Sequence, residues 1–305
     1  MDNDWKERYW QLMVSEKFEE AIPLKSENFP KSFFKYKPLT EKAIEEIEHN
    51  YIWIADIASL NDPFECSIQF DNDECLRAYY SSNEFNTLFA KITGQRLTKN
   101  DITVLTSSEK PFLKYIEICH NKSIPFNLTP EEQLSKIQNR WLEIISETNK
   151  RLRICSFSVT KSSLLLWSHY ASEHKGIAIE YDFIDTGEIR AFIQPIIYRD
   201  KVHKIGIFEE YSTMQMVCSS LIKSKEWEYE KEWRLTIFKQ RNAFLQRIIA
   251  PSPIGIYLGT KFESNDNSLK DRLHKLAEYR KIPVYKMDKH PNEFKLIESN
   301  YKPNS

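Results

Sequence analysis

RICSFSVTKSSLLLWSHYASEHKGIAIEYD occupies residues 153–182. It changes period twice. RICSFS (153–158) is a strand. KSSLLLWSHYASEHKG (161–176) has helical spacing and ends at Gly176, placed as the residue after a helix C-cap. IAIEYD (177–182) alternates, with Ile177, Ile179 and Tyr181 on one face and Ala178, Glu180 and Asp182 on the other. On the helix, Trp167 and Tyr170 stand three apart and share a face, while His169 lies on another. His169 serves either as a hydrogen-bonding residue or as a base that titrates near neutrality. His174 falls in the last turn, where a cationic ring suits the helix dipole.

The second informative stretch is KEWEYEKEWRLTIF (225–238). If extended, Glu226, Glu228, Glu230 and Glu232 share a face that Arg234 continues. Trp227, Tyr229 and Trp233 take the opposite face and the core. Like charges side by side repel, so the carboxylate face needs water, cations or a substrate. Glu230 and Glu232 abut the buried strand that follows, and groups on rigid elements are placed most accurately.

Working outward, residues 2–22 read as an amphipathic helix, with Trp5, Tyr9 and Met13 four apart. FFKYKP (33–38) is an aromatic strand stopped by Pro38. Its Lys35 and Tyr36 lie on opposite faces. Thr40 caps a helix with Glu41, Glu45 and Glu46 near its start. YIWIA (51–55) is a strand, and NDPFE (61–65) is a turn offering Asn61, Asp62 and Glu65. Residues 75–150 are mostly helical. Beyond them, IQPIIY (193–198), residues 232–238 and IGIYLG (254–259) are strands. Residues 206–224 read as a helix, a further helix runs to about Arg280, and IPVYKM (282–287) forms an edge strand.

The expected fold is α+β: a mixed, mostly antiparallel sheet, open to a split in two, flanked by helices. One domain spans 1–305. It has an N-terminal helix in 1–30, a helical insert at 75–150, sheet core in 31–70 and 151–260, and a C-terminal helix with edge strand in 261–305.

Composition narrows the functions. The 305 residues carry 43 basic and 44 acidic side chains, a formal net charge of −1. That balance does not call for nucleic acid or an anionic membrane. Only six glycines are present, and none forms a dinucleotide-binding or P-loop pattern. The five cysteines include no CxxC, so neither a zinc ribbon nor a disulfide framework is expected. No run approaches the ~18 apolar residues of a membrane span. A cytoplasmic protein is expected.

FFKYKP, NDPFE, CSFS, WSHYA with HKG, and YEKEWR follow one another between residues 33 and 238. In that order they resemble the bacterial domain of unknown function 2971 family. More distantly, the layout is similar to the ADP-ribosyltransferase fold. There a strand ending in a HYT-like tripeptide precedes a helix and a strand, and the catalytic Glu opens a later strand, with E-x-E in one branch. That resemblance implies NAD as a substrate, an unnamed acceptor and no metal ion. It implies that Lys35 and Tyr36 line the NAD pocket and that Ser158 opens the nicotinamide side. Tyr170, beside Trp167 and His169, stacks the nicotinamide. Glu230 or Glu232, next to Arg234, binds the ribose 2′-hydroxyl. Lys35 departs from the His or Arg usual in the first strand. A toxin or anti-phage defence role is compatible with such an enzyme. Two other functions remain open. One is a metal-dependent nuclease or phosphodiesterase using Asp62, Glu65, His169, Glu180, Asp182, Glu230 and Glu232. The other is a non-enzymatic ligand- or partner-binding protein.

Overall fold

A computed structural model describes residues 4–125, 130–205, 213–239 and 246–301. The chain divides into two compact units. One comprises Met1–Cys66, Arg151–Lys201 and Ser220–Ser305, and the other Ser67–Lys150 and Val202–Ser219.

The first unit is built on a nine-stranded sheet: β1 (Phe33–Lys37), β2 (Ala55–Asp56), β3 (Leu152–Ser158), β4 (Ile177–Tyr181), β5 (Ile193–Pro195), β6 (Glu232–Phe238), β7 (Gly255–Leu258), β8 (Val284–Lys289) and β9 (Leu296–Asn300). The order across the sheet is β9-β8-β7-β4-β1-β3-β6-β5, and β2 pairs with β3 off that path. All pairs are antiparallel except β7 with β8. The fold is therefore α+β, as the sequence pattern indicates.

Register separates two faces, since directly opposed residues point the same way. One face is the main core. Phe33, Phe157 and Trp233 meet there, with ring centroids 6.1 Å apart for Phe33–Phe157 and 5.8 Å for Phe33–Trp233. Ile44 and Ile47 of the helix Glu41–Glu48 and Leu273 of the helix Asn267–Tyr279 cover it. The Thr40 hydroxyl caps the first of these helices by accepting from the Ala43 N–H. The other face is divided. Its aromatic half holds Phe34, Tyr36 and Tyr257 under Leu166 and Trp167. Its polar half holds Ser156, Ser158, Glu232 and Arg234.

The sheet also opens. β1 meets β3 at one register pair, Phe34 opposite Ser158. Farther along β3 the same edge passes to β2, with Ala55 opposite Ile154. In the gap between these partners the Ser156 carbonyl accepts from the Lys35 ammonium at 2.9 Å.

Several boundaries differ from the sequence pattern. The helix expected over 2–22 is two helices, Asp4–Val14 and Phe18–Glu27, separated at the left-handed Glu16. YIWIA is broken, because Tyr51–Trp53 pairs with Arg247–Ile249 while Ala55–Asp56 joins β3. IQPIIY breaks after Pro195, which has no N–H to continue a ladder. Ile197–Arg199 then runs parallel to Ile222–Ser224. The helix expected over 206–224 is helical at Thr213–Ser219 and extended at Ile222–Ser224, and residues 206–212 lie outside the described residues. The strand expected at the edge, IPVYKM, is interior, because β9 pairs outside β8.

The helix expected over 161–176 is only Leu164–Tyr170. Ser172, Glu173 and His174 follow in the left-handed region, so Gly176 is not a helix cap and His174 is not in a last helical turn. The role of Gly176 is close approach. A Cβ there would stand 2.2 Å from the Lys37 carbonyl oxygen.

The second unit contains the helices Asn72–Ser81, Asn83–Thr93, Lys99–Ser107, Pro111–Asn121 and Pro130–Asn149. Side chains of Asp71, Ser82 and Thr98 cap the first three. Tyr80, Phe85, Phe89, Leu105 and Tyr115 form its core. Ile68–Phe70 pairs in parallel with His203–Ile205. The insert expected at 75–150 falls within this unit.

A Cβ at Gly259 would stand 2.1 Å from the His174 carbonyl oxygen, a backbone atom that cannot swing aside. Gly259→Ala is expected to lose about 1–3 kcal/mol of stability in urea titration. An unchanged midpoint would show that this approach is not tight.

Candidate functional site

A cavity of about 480 Å³ opens at the gap between β1 and β3. Lys35 and Tyr36 come to it from β1, and Ser156 and Ser158 from β3. Asn61 and Glu65 come from the loop after the strand pair, and His169 and Tyr170 from the short helix. Lys223, Glu230 and Glu232 complete its polar wall. Its size is in the range of small-molecule pockets.

The wall is an ionic network. Residues Lys225–Glu230 are not extended; they form a 3₁₀ helix, and Lys231 follows in the left-handed region at φ 46°. The single-face array of four glutamates is therefore corrected. Glu226 and Glu228 are exposed, whereas Glu230 is 4% and Glu232 1% exposed. The aromatic face is corrected too, because Trp227 and Tyr229 are only half-buried while Trp233 enters the core. The left-handed step at Lys231 lets two carboxylates two residues apart converge on one cation. Lys223 Nζ donates to Glu230 Oε2 at 2.7 Å and to Glu232 Oε2 at 3.1 Å, and it stands 3.4 Å from Glu65 Oε1.

Arg234 holds the network from behind. Its guanidinium, fully buried, donates to Glu65 Oε2 at 2.8 Å, Glu65 Oε1 at 3.0 Å, Glu232 Oε1 at 2.9 Å and the Ser220 carbonyl at 2.6 Å. A planar fork of donors suits this task as an ammonium would not. Three carboxylates and two cations leave one negative charge in excess when all are ionised.

The protonation equilibria divide accordingly. Burial pushes the Glu232 carboxyl up, but the Arg234 and Lys223 cations outweigh it and hold it at about 2. Burial also raises the Glu230 carboxyl. The Lys223 ammonium opposes that rise, the Glu232 charge adds to it, and the net shift is upward. Of the two glutamates, Glu230 is thus the one more readily protonated. The Tyr170 hydroxyl donates to Glu230 Oε1 at 2.7 Å and accepts from Asn61 Nδ2 at 3.2 Å. Burial, then the Glu230 charge, raises the Tyr170 phenol. Ser158 Oγ donates to the Glu230 carbonyl at 2.6 Å, and the Tyr198 hydroxyl accepts from the Glu232 N–H at 2.8 Å.

The structure therefore brings together Lys35, Tyr36, Asn61, Glu65, Ser158, His169, Tyr170, Glu230 and Glu232. It does not bring Trp167, Asp62 or Arg234 to the cavity surface. The Trp167 indole is buried against Tyr36, with centroids 5.1 Å apart, and donates to the Lys161 carbonyl. Asp62 Oδ1 closes its own turn by accepting from the Phe64 N–H at 2.8 Å. Glu180 accepts from Tyr257 and Asp182 from the Ile184 N–H, both away from this wall. Lys223 was missed, because its segment reads as the end of a helix. The available signal was KSKEWEYE itself, a lysine just before a carboxylate run that needs a cation.

Among the described residues no group of three or more His, Cys, Asp or Glu is arranged to hold a metal ion. The described cysteines, Cys66, Cys75, Cys119, Cys155 and Cys218, are buried. No helix among the described residues is long and apolar enough to cross a membrane.

The family model described as "Protein of unknown function (DUF2971)" matches residues 166–235. That segment holds WSHYA, HKG and YEKEWR, so the likeness to this family rests on the stretch that carries those motifs. No curated protein and no solved structure gives a significant match.

Removing one partner of a buried ion network leaves the others uncompensated. Lys223→Met is expected to cost about 3–5 kcal/mol at neutral pH in denaturant titration; a loss below about 1 kcal/mol would contradict the network. Acid dependence gives a separate check. The depressed Glu232 contributes stability above its ordinary value of 4.5 and loses it as pH falls toward about 2. The amount is on the order of 3 kcal/mol. The raised Glu230 acts in the opposite sense, contributing below 4.5 and losing that contribution as pH rises through its folded value. Glu232→Gln should flatten the stability profile between about 4.5 and 2, and an unchanged slope would assign the acid dependence to other groups.

Proposed function

We propose that this chain is an ADP-ribosyltransferase-like enzyme that breaks the nicotinamide–ribose bond of NAD, with Glu230 as its reacting carboxylate. One observation carries the proposal. Glu230 stands on the cavity wall with its carboxyl raised by burial, one oxygen on Tyr170 and the other on Lys223. The segments that build this wall are also those that resemble the transferase layout.

The chemistry follows from charge. The C1′–N bond breaks, its electron pair leaves with neutral nicotinamide, and positive charge grows on the ribose. A fixed carboxylate favours that charge more in the transition state than in the ground state. An acceptor X–H then bonds to C1′, and its proton passes to Glu230 and on to solvent. The products are ADP-ribosyl-X, nicotinamide and one proton. Glu230 suits proton exchange. Glu232, held by two cations, stays ionised and keeps Lys223 in place. Tyr170 fixes the Glu230 rotamer and presents its ring to the cavity. Lys35, with one donor on the Ser156 carbonyl, offers its remaining donors to the diphosphate. Ser158 anchors the Glu230 backbone.

Five buried cysteines with no CxxC spacing fit a reducing, cytoplasmic setting. The acceptor is a protein, a nucleic acid, a small molecule or water, and a toxin or defence role follows only if it is a host or phage component. The metal-dependent alternative is disfavoured at this wall, because Lys223 and Arg234 already stand where a cation would bridge the carboxylates.

The test is calorimetric NAD titration with nicotinamide release followed in the same samples. Saturable binding is expected, and Glu230→Gln should lower turnover about 10²–10³-fold with binding retained. No binding at about 1 mM NAD, the upper end of common Michaelis constants, would overturn the proposal. Binding without release in the wild type would make the chain a ligand-binding protein.

A further inference from the structure

The HKG motif plays no part at the first cavity. Its His174 closes three consecutive left-handed residues, Ser172 at φ 48°, Glu173 at 56° and His174 at 71°. Such backbone persists only where its surroundings over-determine it. Here the His174 N–H donates to the Trp167 carbonyl at 3.0 Å, and the Lys261 N–H donates to the His174 carbonyl at 2.9 Å. Gly259 alone fits against that carbonyl, and its N–H donates to the Gly176 carbonyl at 3.0 Å. HKG and the later GTK, residues 259–261, are thus two halves of one clamp.

The clamp presents His174 to a second cleft of about 620 Å³. Lys261, Lys289, Lys295, His290 and Phe294 share its lining. Its one lining carboxylate, Glu293, is engaged by Lys295 at 2.7 Å and lies 3.8 Å from His290. Among the described residues the Lys261 and Lys289 ammonium groups have no carboxylate partner. His174 Nε2 hydrogen-bonds Ser168 Oγ at 3.0 Å, while Nδ1 is buried and makes no hydrogen bond. Two lysines without a carboxylate partner among the described residues therefore share a concavity with a histidine, an arrangement an anion would relieve. At the rim the Phe294 ring is wholly exposed. An aromatic ring beside cations meets both parts of a nucleotide, the phosphate by charge and the base by stacking.

We infer that this cleft is a second ligand site and that it takes a nucleoside phosphate, with the phosphate between Lys261, Lys289 and His174 and the base against Phe294. The same chemistry is offered by a free nucleotide and by a single-stranded nucleic acid. The inference stands apart from the activity proposed for the first cavity.

The test is calorimetry on the full chain with uridine monophosphate, pyrophosphate and an oligothymidylate. Pyrimidine probes avoid the adenine that the first cavity would admit. Wild type is compared with the double variant Lys261→Ala/Lys289→Ala and with Phe294→Ala. These side chains are exposed, and melting temperatures should match. Nucleotide binding is expected, weakened about tenfold by the lysine pair and by Phe294→Ala. Uridine monophosphate binding on its own identifies a free nucleotide as the ligand. Binding of the oligothymidylate in preference identifies a nucleic-acid strand. Absence of binding to all three probes at about 1 mM, or binding that ignores the lysine pair, overturns the site. Lysine-dependent pyrophosphate binding with no gain for either pyrimidine probe, and no effect of Phe294→Ala, overturns its assignment to nucleotides.

Discussion

The site depends on a fully buried guanidinium. Arg234 lies in the middle of β6, fully buried, and its donors are satisfied by Glu65, Glu232 and the Ser220 carbonyl. A buried cation demands carboxylates, and buried carboxylates demand further cations. That requirement recruits Lys223 from the short strand beside it, and Lys223 in turn draws in Glu230. Two distant parts of the chain, around residue 65 and over residues 223–234, are tied together by it. Such networks are weak evidence for net stability, but each member becomes hard to remove once the others are present. The spare negative charge then falls on Glu230, the carboxyl that also faces the cavity.

Around that network the sheet supplies space. β3 exchanges partners from β1 to β2, and the exchange leaves an opening between them. Lys35 satisfies the Ser156 carbonyl from the far side. A chain with six glycines has few backbone cradles for phosphate. It builds its cavity from side chains instead, with serines, lysines and carboxylates in its lining. The two glycines most tightly constrained, Gly176 and Gly259, serve the clamp under the second cleft rather than the first cavity.

Much of this was legible in the sequence. Alternation in IAIEYD located one central strand, RICSFS read as another, and the Thr40 cap located a helix. The crowding of Glu230 and Glu232 beside aromatic residues drew attention to two residues that line the cavity. The remainder was hidden for physical reasons. Short elements take their conformation from tertiary hydrogen bonds more than from propensity. Residues 225–231 alternate on paper, yet they coil into a 3₁₀ helix with Lys231 left-handed, and in that conformation Glu230 and Glu232 both reach Lys223. Lys223 looked helical because the strand it occupies is three residues long and pairs with another fragment, Ile197–Arg199. Trp167 looked like a cofactor contact but packs beneath Tyr36, since a large ring in a short amphipathic helix gains most by burial.

The most direct measurement of the central claim is a crystal structure of the Glu230→Gln protein with NAD. The geometry argued here predicts the nicotinamide-bearing ribose in the cavity between β1 and β3, with a ribose hydroxyl within hydrogen-bonding distance of residue 230 and the nicotinamide ring beside Tyr170. NAD bound elsewhere on the chain, or bound in the cavity with its ribose turned away from residue 230, would contradict it.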